Sequence, residues 1–140
     1  MIDPFEIDQS KQVKFLLTGD PHAAMEAAKK LIKIHEQVNP EPLIRVLEDH
    51  RCHLWSRIAA AYVLGFLEYK VSNRGAAALL RVLEDSKEKV SLRSHAAEAL
   101  SNLGATEAVS VLKRVIQNPQ ESKRLQKWCD FALSELKSEG

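Results

Sequence analysis

The sequence predicts an all-α fold, a right-handed α-α superhelix in which about seven helices stack as a solenoid. Two recurrences and their spacing carry this expectation. Arg57, Ala60, Ala61, Leu64 and Leu67 reappear as Arg93, Ala96, Ala97, Leu100 and Leu103, 36 positions later. Leu43, Arg45, Val46 and Leu47 return as Leu79, Arg81, Val82 and Leu83 at the same step of 36, then as Leu112, Arg114, Val115 and Ile116 at a step of 33. Within each set the apolar residues keep three-and-four spacing, which places them on one face of a helix. A period in the mid-thirties with two helices per unit marks a helical solenoid, whose units bury their apolar faces only against their neighbours.

Taken in order, residues 1–19 read as an N-terminal capping segment. Phe5 and Ile7 can tuck onto a short helix that Ser10 caps, and Gly19 stops it because glycine tolerates the left-handed conformation. Residues 20–50 form the first helical pair. Asp20 caps a helix that begins with Pro21 at its first position, where the missing N–H costs nothing. Ala24, Ala27, Ala28, Leu31 and Ile34 make its stripe, and Asn39-Pro40 starts the second helix. Residues 51–85 follow, with an alanine-rich helix over Leu54–Leu67 and a partner over Gly75–Glu84. Alanines 59 to 61 have no side-chain entropy to lose and let a neighbour come close. Residues 86–118 repeat the pattern, with Leu92–Leu103 stopped at Gly104 and Thr106 capping a helix to Gln117. Residues 119–140 close the stack as one capping helix, in which Trp128 and Phe131 replace the smaller or more polar residues of earlier units. All of this reads as one domain of 140 residues.

The chain carries 20 basic and 19 acidic side chains, a formal net charge of +1. Such balance gives no global attraction to nucleic acid or to an anionic membrane. The N-terminal third leans acidic and the middle leans basic, a mild polarity along the stack. Two cysteines, Cys52 and Cys129, fall in distant units and read as free thiols. The first residues have no basic and apolar signal pattern, and no apolar run approaches the ~20 residues that span a bilayer. The expectation is a cytoplasmic protein without a membrane segment.

The recurring unit D-x7-R-x2-A-A-x2-L-x2-L followed by a short leucine-rich helix resembles the HEAT repeat. It is most similar to the short alanine-rich subtype of the phycobilisome-lyase-like group. The motif reads Asp49…Arg57-Ile58-Ala59-Ala60-Ala61…Leu64-Gly65…Leu67 and again Asp85…Arg93-Ser94-His95-Ala96-Ala97…Leu100…Leu103. The first unit has Ala24 in place of the arginine. The last has Gln126, and Asn118 in place of aspartate, so both charges are lost together while hydrogen bonding is kept. Asp49–Arg57 and Asp85–Arg93 are therefore expected to be structural pairs that bracket the turn between helices, where a carboxylate can meet both the guanidinium and free amide hydrogens.

The resemblance implies that the second helices line a concave surface. Their solvent face is Glu41, Arg45 and Glu48, then Ala77, Arg81 and Glu84, then Ser110, Arg114 and Gln117. Arg45, Arg81 and Arg114 are thus expected to form a column, one per repeat. They either grip a ligand or pair locally with Glu48 and Glu84, three residues on. The interspersed acids would repel a phosphate backbone, so a protein partner of mixed charge fits better than nucleic acid. The expected function is a non-catalytic interaction scaffold. The alternatives are a nucleic-acid-binding HEAT-like protein and a lyase-like, chromophore-handling enzyme.

No catalytic constellation, cofactor motif or metal site is expected. His50, Cys52 and His53 form the metal-like cluster H-x-C-H, but it lacks a fourth ligand nearby. His95 reads as a hydrogen-bonded packing residue. Tyr62, Phe66 and Tyr69 share a helix face and read as gap-fillers between helices, with an exposed aromatic patch as the alternative. Trp128 and Phe131 offer a further surface, for self-association through the end of the stack.

Overall fold

A computed structural model describes residues 8–68 and 73–138. Eight α-helices lie among the described residues, against the seven or so expected: α1 Gln9–Leu16, α2 Pro21–Lys33, α3 Glu41–Glu48, α4 Leu54–Leu64, α5 Asn73–Glu84, α6 Val90–Asn102, α7 Val109–Gln117 and α8 Lys123–Ser138. They build a right-handed solenoid of two layers. In one, α2 packs on α4, α4 on α6 and α6 on α8; in the other, α3 packs on α5 and α5 on α7. The closest pairs across the layers are α1–α2, α3–α4, α5–α6 and α7–α8, each joined by a tight turn.

The local signals explain the helix ends. The Asp20 side chain accepts from the His22 N–H, with Pro21 opening α2. Gly19 and Gly104 have φ of +83° and +64°, so both stops use the left-handed region. Two of the expected caps differ. Asp8, in extended conformation, caps α1 and accepts from the Ser10 N–H, so Ser10 lies inside the helix. Thr106 opens a 3-10 turn over Thr106–Ala108 that precedes α7, and its side chain makes no capping bond. Phe5, Ile7 and Tyr69 lie outside the described residues.

The core is the repeated leucine and alanine set. Ala60, Ala61, Leu64, Ala96, Ala97 and Leu100 are wholly buried, as are Leu43, Leu47, Leu79, Leu83 and Leu112. Small side chains set the spacing of the α4–α6 pair. A Cβ on Gly65 would stand 3.0 Å from the Ala99 Cα, so the two backbones touch where glycine permits it. At the N-terminal end, the buried Ser56 hydroxyl donates to the Leu16 carbonyl at 2.6 Å, and Gln9 makes paired bonds to the Asn39 backbone at 2.8 and 2.9 Å. These polar contacts dock α1 onto the stack.

Candidate functional site

The residues that the sequence singles out fall into a buried clamp and an exposed ladder. The clamp sits in the turns between paired helices. Asp49, Asp85 and Asn118 each end a helix and turn their side chains onto the backbone N–H two residues on, those of Arg51, Lys87 and Gln120, at about 2.9 Å. That bond tightens the turn. The following arginine reaches back to the helix that has just ended. The Nε of Arg57 donates to the Leu47 carbonyl and the Nε of Arg93 to the Leu83 carbonyl, both at 2.9 Å. Helix C-termini leave carbonyls without partners, and these guanidiniums supply the missing donors. Gln126 does the same with its amide, donating to the carbonyls of Val115, Ile116 and Asn118.

The expected carboxylate partner is corrected. Arg57 does not pair with Asp49, nor Arg93 with Asp85. The buried guanidinium of Arg57 meets Glu88 at 2.9 Å, and that of Arg93 binds both oxygens of Glu121. Each arginine therefore reaches forward into the next turn. The two aspartates are held by their own turns, and Asp49 also by the Arg51 side chain at 3.0 Å. That contact keeps the Asp49 carboxyl below the usual carboxylate range. Glu88 and Glu121 were missed from the sequence, although a signal existed. Each stands three residues after its turn residue, Asp85 or Asn118, at the same 33-residue step as the helices.

Arg93's hydrogen bonds hold Glu121 below the ordinary carboxylate range against the opposing effect of burial. Its folded pKa lies below the unpaired value of 4.5, so this stabilisation is complete above that pH. It is lost as pH falls through the lower, folded value. Glu121→Gln is expected to lower stability at pH 7 by about 1–2 kcal/mol and to flatten the acid limb below pH ~4.5. Urea unfolding along a pH series checks both.

The ladder lies on the face of the second layer. Arg45 on α3, Arg81 on α5 and Arg114 on α7 are all exposed. Their acid contacts run between repeats and not within a helix. Glu48 accepts from Arg81 at 2.7 Å and from Arg74 at 2.8 Å, Arg74 also meets Glu41 at 2.8 Å, and Glu84 faces Arg114 at 3.9 Å. Stacking brings each carboxylate nearer to the next helix's arginine than to its own. Arg45 has no acid partner among the described residues. Exposed ion pairs add little stability, about 0–1 kcal/mol each, so what they fix is the sign pattern of the surface. Arg74 has no counterpart one period away, so the repeat gave no hint of it.

Between α3 and α5 the ladder borders a cleft of about 300 Å³ lined by residues that include Glu48, His50, Arg57, Arg81, Asp85 and Glu88. His50 Nδ1 lies 3.1 Å from Glu88, which ties the cleft to the buried clamp. His50, Cys52 and His53 are not drawn together: the His53 ring instead packs over Gly19. Among the described residues no group of three or more His, Cys, Asp or Glu could hold a metal ion. Burial pushes the Cys129 thiol up to about 12, and burial likewise raises Cys52, so neither is an activated nucleophile. His95 is half-buried, and its Nδ1–H donates to the Ser91 carbonyl at 2.8 Å. Tyr62 and Phe66 stack edge to face at 5.2 Å; Tyr62 is half-buried, while Phe66 and Trp55 are exposed.

No helix among the described residues is long and apolar enough to cross a membrane. No curated protein matches the chain. Among solved structures, human deoxyhypusine hydroxylase in complex with glycerol is similar, with a TM-score of 0.68 and 22% identity over 93% of this chain. The chain spans 43% of that protein's length. At this identity the likeness concerns the fold. The family description HEAT repeats matches residues 40–129, which cover both complete motifs, the ladder and the clamps. The chain belongs to the HEAT-repeat family.

Proposed function

We propose that the protein is a non-catalytic interaction scaffold that binds a protein partner on its concave, second-helix face. Arg45, Arg81 and Arg114 make the contacts, and Glu48 and Glu84 set the specificity. The observation that supports this most is the alternation of sign along the ladder. Arginines and carboxylates interleave from α3 to α7, with Arg45 left unengaged at one end. A uniform polyanion would meet a carboxylate beside nearly every arginine, which disfavours nucleic acid. A partner with alternating charge can exchange these exposed, weak pairs for its own. In the same reading the protein is cytoplasmic, and Asp49, Arg57, Asp85 and Arg93 serve the scaffold and not the partner.

The alternative, a lyase-like, chromophore-handling enzyme, gains more support from the comparisons than the scaffold does. The similar solved structure belongs to a hydroxylase, so an enzyme can be built on this fold. The alanine-rich motif keeps the phycobilisome-lyase-like subtype as the form of that alternative.

The test is capture of partners from native lysate by the parent and by an Arg45/Arg81/Arg114→Glu variant. Loss of a specific protein band with an unchanged circular dichroism spectrum supports the ladder. Retention of every partner turns attention to the first-helix face or to the ends. Loss of the band on nuclease treatment favours nucleic acid.

A further inference from the structure

The first-helix face carries a second candidate site, independent of the ladder, so either can fail without the other. We propose that the groove between α6 and α8 binds a small, planar aromatic carboxylate. Its open part, about 610 Å³, is lined by Glu98, Arg124, Lys127, Trp128 and Phe131. That volume suits a small organic ligand. A recess of about 90 Å³ continues from it, sharing Glu98, Arg124 and Trp128 and adding Ser91, Ser94 and His95.

Three features select the ligand. The Trp128 and Phe131 rings stand edge to face at 6.3 Å and are 39% and 58% exposed, an aromatic wall on which a flat ring can pack. Arg124 and Lys127 flank it, with no ion-pair partner among the described residues, against the single carboxylate of Glu98. The balance is positive, and a guanidinium fork holds a carboxylate through two bonds. Ser94 lines the recess, and its hydroxyl is buried behind it without a hydrogen-bond partner, the residue being 8% exposed. Buried hydroxyls are nearly always satisfied, and the equivalent position one repeat earlier is the apolar Ile58. A χ1 rotation of Ser94 between staggered wells would turn that hydroxyl to a ligand oxygen in the recess.

Other occupants fit less well. A second copy packed symmetrically would set Arg124 and Lys127 against themselves. Two cations are too few to hold a nucleic-acid backbone.

The probes are 2-naphthoate and its uncharged analogue 2-naphthamide, titrated by calorimetry. Saturable one-to-one binding of 2-naphthoate is expected, about tenfold tighter than 2-naphthamide, with Arg124→Gln removing the preference. Phe131→Ala, at an exposed position, is expected to weaken both probes. Ser94→Ala is expected to weaken binding while melting at or above the parent temperature, a combination that a purely structural serine would not give. Absence of saturable binding at millimolar probe, equal affinity for the two probes, or variants that bind like the parent would overturn the proposal. So would a concentration-dependent dimer, seen by sedimentation, that Phe131→Ala disperses, since the groove would then belong to a second copy.

Discussion

Arg93→Ala is expected to destabilise the protein by about 3 kcal/mol or more, the largest effect of any single polar substitution. The residue is 2% exposed, and its side chain serves three groups at once: the Leu83 carbonyl through Nε and both Glu121 oxygens through its two terminal nitrogens. Truncation leaves a helix-end carbonyl without its donor and a largely buried carboxylate without its counter-charge. A pair confined to one turn would be worth less, about 1–3 kcal/mol. The larger figure follows because the guanidinium also joins the α5–α6 turn to the α7–α8 turn. Arg57→Ala should cost less, because Glu88 keeps its contact with His50 at 3.1 Å. Parallel urea unfolding of the two variants checks the order. Equal midpoints would mean that the carbonyl bond common to both outweighs the carboxylate.

Leu100→Ala is expected to cost about 2–5 kcal/mol and to broaden the unfolding transition. Leu100 is wholly buried on α6, the helix that packs against α4, α5 and α8. The lost methyl groups remove burial and leave a cavity that the close α4–α6 backbones cannot easily fill. Broadening follows from the architecture. A solenoid is held by nearest-neighbour interfaces, so a lesion in the middle uncouples the two sides. Leu16→Ala, at a wholly buried residue near the end of α1, should instead loosen one end only. Hydrogen exchange resolves the difference: protection is lost on both sides of α6 in the first variant and near α1 in the second.

The fold was legible because a solenoid writes its packing into the period. Leu64 and Leu100 occupy equivalent core positions, so their recurrence announces two equivalent interfaces. Asp20-Pro21 and Gly104 marked their helix ends because caps and left-handed residues are local chemistry. The clamp was only half legible. Asp49 and Arg57 lie close in sequence, which suggested a pair, but the aspartate oxygens are taken by the amide and side chain of Arg51. The true partner stands 31 residues from the arginine, across the stack. The ladder arginines were likewise found from the period, whereas their acid partners depend on how adjacent helices are shifted. Helical spacing within one chain segment does not encode that shift. Ser94 stands where the preceding repeat has Ile58, but a serine on a helix is ordinary until its burial and lack of a partner are known.

The claim that the ladder reads a charge pattern is tested most directly by exchanging one rung, Glu84→Arg with Arg114→Glu. Both side chains are exposed and face each other at 3.9 Å, so the exchange keeps the pair and reverses only its direction. An unchanged melting temperature is expected, together with about tenfold weaker binding of the partner captured by the parent. Binding equal to the parent's, at equal stability, would contradict it.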